Sequence, residues 1–213
     1  MKRFMYDFLQ KNAAMLCVLL CCSASLFAQN NALTLNGTSQ YAYYNGSLST
    51  YEDVTMEGWF KWDGSTGNNQ LLMYDGHTSL NGFGLMLDAS ASNNLIILAG
   101  GYQVTSVGRG LDVGEWSHVA LVKKGNFFSL YINGDPEIAK AMTYSYPSGS
   151  YMVGGNSINN SEFFKGAIDE VHLWNRALSY NEIFTAAATP MTGAETNLVA
   201  SYRLDNSADG LTG

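Results

Sequence analysis

Gly166-Ala-Ile-Asp-Glu-Val-His-Leu-Trp-Asn-Arg-Ala-Leu-Ser179, followed by Glu182-Ile183, is the stretch on which the fold turns. Gly166 to Trp174 is rich in β-branched and aromatic residues and reads as a strand. Ser179 has the side chain that accepts from the free N–H groups at a helix start, and Glu182 stands three positions on, as in a capping box. Ala186 to Ala188 favour a short helix, and Pro190 ends it. The stretch predicts a strand followed by one helix over 179–188.

On either side of it the chain is a series of short apolar and β-branched runs separated by Gly, Asn, Asp and Ser clusters, with only three prolines. The runs are 32–35, 40–44, 54–62, 70–74, 84–87, 94–99, 116–123, 127–132 and 151–154. Asn133-Gly134 is the residue pair that best tolerates positive φ at both centres of a type I′ turn, so it joins Ser129–Ile132 to a strand near Ile138–Ala141. The run 198–204 either closes the same sandwich or opens a second module. This grammar predicts an all-β fold, a two-sheet antiparallel jelly-roll sandwich.

The first residues have a different character. Lys2, Arg3 and Lys11 make a positive start, and Ala13 to Ala28 form an apolar run ending in Ser-Leu-Phe-Ala. This reads as an export signal over 1–28, because its unbroken apolar part is far short of the roughly 20 residues that span a bilayer. All three cysteines, Cys17, Cys21 and Cys22, fall inside it, so the mature chain is expected to enter an oxidising compartment without disulfides. Residues beyond 28 carry 8 basic against 17 acidic side chains, a net charge of −9. Such a surface repels nucleic acid and anionic lipid. The expectation is one secreted or cell-surface domain over 29–213 with no membrane span in the mature chain.

Five pieces, in order, resemble the LamG-like jellyroll family, relatives of laminin G domains, pentraxins and concanavalin A-like lectins. They are Leu33-Thr-Leu-Asn-Gly37 with Tyr41, Val54 to Lys61, Gly114 to Val122, Leu130 to Gly134, and the opening stretch with its Ile-Asp-Glu-Val and Asn-Arg-Ala-Leu runs. The resemblance spans roughly 32–205 and implies a concanavalin A-like sandwich used for recognition and adhesion. It names no ligand, since one fold hosts many functions.

Relatives of this fold often hold a structural calcium between an early loop and a carboxylate on a late strand. By that resemblance Asp169 would pair with Asn36 and Gly37, although Asn36-Gly37 stands where the family commonly has Asp-Gly, one charge fewer for a cation that wants six to eight oxygens. Otherwise Asp169 turns or caps its strand. Asp75, His77, Asp88, Asp112 and Asp135 read as turn residues. His118 and His172 read as packing or surface histidines. Trp59, Trp116 and Trp174 are expected in the core. Tyr102, Tyr144 and Tyr146 lie in or beside Gly/Ser-rich connections, where their faces either stack on sugar rings or pack at a sheet edge.

Catalysis finds no foothold. The Glu-x-Asp-x-x-Glu strand that sets two carboxylates on one face for double displacement is missing. Glu52-Asp-Val-Thr-Met-Glu57 has other spacing, and the adjacent Asp169 and Glu170 point to opposite faces of a strand. No Gly-x-Ser-x-Gly, His-Glu-x-x-His or phosphate loop is present. The expected function is a non-catalytic recognition module binding extracellular glycan or a surface protein, with calcium as its candidate cofactor. A structural or assembly piece of a cell-surface system and a glycoside hydrolase are the alternatives.

Overall fold

Residues that alternate apolar and polar along a strand can bury only one face, so two such sheets must face each other. The computed structural model describes residues 32–204 apart from 45, 47, 90–93 and 101, with backbone alone for 102–108. The expected export segment 1–28 lies outside the described residues, and no described helix is long and apolar enough to cross a membrane.

Among the described residues thirteen strands follow one another: β1 (Leu33–Asn36), β2 (Ala42–Tyr44), β3 (Asp53–Trp62), β4 (Gln70–His77), β5 (Asn81–Leu87), β6 (Asn94–Ala99), β7 (Tyr102–Gly110), β8 (Trp116–Lys124), β9 (Phe127–Ile132), β10 (Asp135–Ala141), β11 (Tyr151–Val153), β12 (Lys165–Trp174) and β13 (Leu198–Tyr202). One helix, α1 (Tyr180–Ala186), sits between β12 and β13. The first sheet runs β1-β12-β3-β8-β9-β10, with β13 also on β12; the second runs β2-β11-β4-β5-β6-β7. Every pairing is antiparallel.

The helix forms where its capping box predicts. Ser179 accepts from Glu182 N, and Glu182 Oε2 accepts from Ser179 N at 2.8 Å. The Asn133-Gly134 turn has positive φ at both residues, 51° and 82°, as a type I′ hairpin requires. β13 pairs Val171 to Trp174 through Tyr202 to Leu198, so this run closes the first sheet.

β12 exchanges neighbours halfway along. Its first half pairs with β1 and its second half with β13, and between them the register against β3 slips at Asp169/His172. Glu170 takes φ 46° there, and Asp169 Oδ1 accepts Glu170 N at 2.9 Å. Asp169 therefore shapes a bulge, the turn-forming role that its residue type allows.

The core between the sheets is built from β-strand alternation: Met56 and Phe60 on β3, Val119 and Leu121 on β8, Phe83 and Leu85 on β5, Leu95 and Ile97 on β6. Phe60 meets Phe164 edge-on at 5.8 Å, and Phe83 meets Phe128 at 5.6 Å. Each such buried ring is worth about 3–5 kcal/mol against alanine.

Three expectations need correction. Trp59 and Trp174 stand on the outer face of the first sheet, because their parity along β3 and β12 is opposite to that of Phe60 and Leu173. Trp174 is buried there under α1, beside Ile183 and Leu178, and Trp59 and Trp116 are half-buried. Asp75 is not a turn residue; it lies buried in β4, where its Oδ2 accepts Leu48 N at 2.9 Å and holds the turn after β2. Tyr102 opens β7, a strand read from sequence as a Gly/Ser connection and formed by pairing with β6.

Candidate functional site

The strands end in two groups of loops, and the residues singled out from sequence divide between them. At one end, Asn36 begins a loop by folding onto its own backbone: its Oδ1 accepts Thr38 N at 2.9 Å and Ser39 N at 3.0 Å, and its Nδ2 donates to Ser39 Oγ. Gly37 follows with φ 73°, and a Cβ there would come within 2.8 Å of Lys165 Cβ, so the loop closes on β12 only with glycine.

Gln70 joins the neighbouring segments from below. Buried at the start of β4, it donates from Nε2 to Gly64 O at 3.1 Å and accepts Lys165 N at 2.9 Å. The third wall is the segment after β11, where buried Asn156 donates to Thr78 Oγ1 at 2.9 Å and Glu162 Oε2 at 2.8 Å, while its Oδ1 accepts Ile158 N and Asn159 N. Asn69 Oδ1 accepts Ala89 N at 2.9 Å and ties in the fourth.

These walls enclose an open cleft of about 930 Å³. Its lining carries the amides of Asn68 and Asn160, the hydroxyls of Thr38 and Ser161, Lys165, Phe163, and Glu162 as the one carboxylate among the described lining residues. Hydrogen bonds fix the framework, and Asn68 and Asn160 spend no side-chain amide on other described residues. The loops of the cleft are thus held in place before a ligand arrives, which lowers the ordering cost of binding, while the amides of Asn68 and Asn160 are left to bond a ligand. Phe163 is stacked by Tyr41 at 6.3 Å and 24°. A second crevice, lined by Leu33, Tyr44, Tyr151 and Tyr202, offers only about 20 Å³, space for one water.

The expected calcium set is not brought together. Asn36 pairs with Lys165 and Asp169 with Trp59, so Asp169 lies four residues farther along β12, about 13 Å at strand rise. Asn36 Oδ1 and Asp169 Oδ1 both accept backbone N–H groups already. Among the described residues no group of three or more His, Asp, Glu or Cys could hold a metal ion.

Tyr144 and Tyr146 sit at the opposite end, and the backbone of Tyr102 reaches the same end through its pairing with Ala99. The side chain of Tyr102 lies outside the described residues. Tyr144 is wedged edge-on among Phe83, Phe128 and Tyr146, with ring centroids 5.5–5.8 Å apart. Lys123 Nζ lies 5.2 Å over its ring and donates to Glu52 O, and burial pulls that ammonium below its usual range. Tyr144 is therefore packing; Tyr146, 69 % exposed, keeps a ring toward solvent.

His118 and His172 belong to a buried polar group on the outer face of the first sheet. Glu57 accepts Trp174 Nε1 at 2.8 Å and stands 3.3 Å from His118 Nε2, and His172 Nε2 stands 3.2 Å from Glu170 Oε2. Sequence reasoning missed this group, which arises only when β3, β8 and β12 align, and of the cleft residues it singled out only Asn36 and Gly37, for calcium. The Asn/Ser-rich tracts 65–69 and 157–162 were the available signal for the cleft.

Solved structures share this fold at low identity. A protein from Bacteroides ovatus, proposed to bind carbohydrate, superposes with TM-score 0.64 and 20% identity over 82% of this chain and 53% of its own. Trypanosoma rangeli sialidase, solved with 2,3-difluorosialic acid, gives 0.61 and 18% over 74% and 27%. Domain 4 of an extracellular arabinanase from Geobacillus stearothermophilus, solved with arabinotriose, gives 0.53 and 17% over 72% and 87%. The chain thus spans about half of the first protein and about a quarter of the second. No match is found among curated proteins. With two antiparallel sheets in jelly-roll order and a family profile matching residues 35–184, the chain belongs to the concanavalin A-like lectin/glucanases superfamily.

Proposed function

We propose that this protein is a secreted, non-catalytic glycan-recognition module that takes its ligand in the cleft between the Asn36-Gly37 loop, the 63–69 loop and the 160–165 segment. The observation that carries the reading is the cleft itself: about 930 Å³, preorganised by buried Gln70 and Asn156, with amides, hydroxyls and an aromatic ring at its lining. Sugars are recognised by such groups together with ring faces. The carbohydrate-binding description of the Bacteroides ovatus protein and the arabinotriose bound to the arabinanase domain support it. Glycosidic hydrolysis calls for a pair of carboxylates, and the described lining offers Glu162 alone, already engaged by Asn156.

The test is a glycan array with the purified protein, run with calcium and with chelator, followed by titration of Asn68→Ala and Tyr146→Ala against the best binder. Loss of binding in Asn68→Ala alone places the ligand in the cleft. Loss in Tyr146→Ala alone moves it to the opposite end, and silence of the folded protein on the array removes the reading in favour of a structural role. A chelator-sensitive signal would bring calcium into the site.

A further inference from the structure

We infer that the cleft takes a linear, uncharged glycan of several residues, which leaves the cleft past Tyr41, the ring that covers buried Phe163, and ends on Tyr43; the inference rests on the glycan-binding reading above. Phe163 lines the cleft and is covered by Tyr41, whose ring centroid is 6.3 Å away, and Tyr43 follows at 6.4 Å. Tyr43 is 52 % exposed. A tyrosine this open on an edge strand gains little from the core, so its ring is free to receive a ligand.

Extent and charge select the ligand. The cleft lies at the large end of the roughly 300–1,000 Å³ usual for small-ligand sites, more than a single sugar ring fills. Tyr41 and then Tyr43 continue from Phe163 at successive centroid spacings of 6.3 and 6.4 Å, and Tyr43 opens to solvent. That suits a chain of sugars and not a branched terminal residue. The cleft lining carries one cation, Lys165, and one carboxylate, Glu162, so neither sign dominates among the described residues, and the other polar groups are neutral amides and hydroxyls. Beyond residue 28 the chain has a net charge of −9, a field that opposes uronate- or sialate-rich polymers.

The test is calorimetric titration of the full chain with linear arabino-, xylo-, manno- and gluco-oligosaccharides of one to six residues, with oligogalacturonides as the charged series. Affinity for one neutral series should rise with length. Tyr43→Ala should remove the last step, about fivefold, a size set by ordinary aromatic contacts, while leaving the shortest binding oligomer unaffected. Asn68→Ala should weaken every length. Equal affinity for monomer and hexamer, a length dependence untouched in Tyr43→Ala, or tighter binding of oligogalacturonides would overturn the inference and leave the glycan reading standing. Silence of every probe would overturn both.

Discussion

Trp174 donates its indole Nε1–H to Glu57 Oε1 at 2.8 Å, joining β12 to β3 on the outer face of the first sheet. Both side chains are buried, Glu57 at 1 % and Trp174 at 2 % exposure, so Glu57 Oε1 depends on this donor, while Oε2, 3.3 Å from His118 Nε2, has no hydrogen bond among the described residues. Trp174→Phe keeps the ring and removes the donor. The expected cost is about 1–3 kcal/mol, the penalty of a buried acceptor left short of a partner, read as a lower midpoint in urea unfolding at an unchanged slope.

Gly37→Ala places a methyl 2.8 Å from Lys165 Cβ and 3.0 Å from Thr66 Cγ2, in a backbone conformation that L residues rarely adopt. It should destabilise the fold by about 1–2 kcal/mol. Because Gly37 and Thr66 line the cleft, glycan affinity should fall as well, whereas Tyr146 should respond to labelling as in the parent. Thermal melting and titration on the same sample check both effects.

The two described tyrosines at the far end should separate cleanly. Tyr144→Ala opens a hole among Phe83, Phe128 and Lys123 and should cost about 3 kcal/mol. Tyr146→Ala, on an open ring, should change stability by less than about 0.5 kcal/mol. Chemical unfolding of the pair settles it, and equal losses would mean that Tyr146 packs in solution.

Acid should act on α1 through Glu182. The N–H of Ser179, its hydroxyl and Arg176 hold this carboxyl at about 2, below its usual 4.5. A depressed carboxyl contributes stability above its unfolded value that is lost as pH falls through the folded one. The capping interaction should therefore fade between pH 4.5 and 2, and Glu182→Gln should flatten that part of the stability profile.

His172 acts in a different window. Burial keeps its imidazole below the ordinary 6.5, with Glu57 opposing and His118 assisting. The unfolded chain then binds the proton more readily than the folded one, so stability is full above pH 6.5 and falls as pH drops below it. Unfolding curves from pH 7.5 to 5 should show this loss in the parent and a smaller one in His172→Gln. An identical slope in both would assign the acid sensitivity elsewhere.

Residues whose meaning is local were legible in the chain. Ser179 and Glu182 cap a helix because the partners lie three positions apart. Asn133-Gly134 makes its hairpin because the two residues tolerate positive φ, and the alternation around Phe60 or Leu121 buries one face whatever surrounds it. The family followed from such pieces in order. Tyr102–Gly110 was not legible, since its Ser and Gly read as a connection until β6 supplies a partner.

The sequence by itself determined an antiparallel jelly roll with one capped helix, because turn chemistry, capping and strand periodicity act between neighbours a few residues apart. Only the tertiary structure decided that Asp169 shapes a bulge far from Asn36, that Trp174 faces α1 and not the core, and that Asn36, Asn68, Asn160 and Lys165 share one cleft. Those relations depend on strand register and on which loops meet at one end. Register is fixed by pairings between residues as far apart as Asn36 and Lys165, which no local pattern encodes.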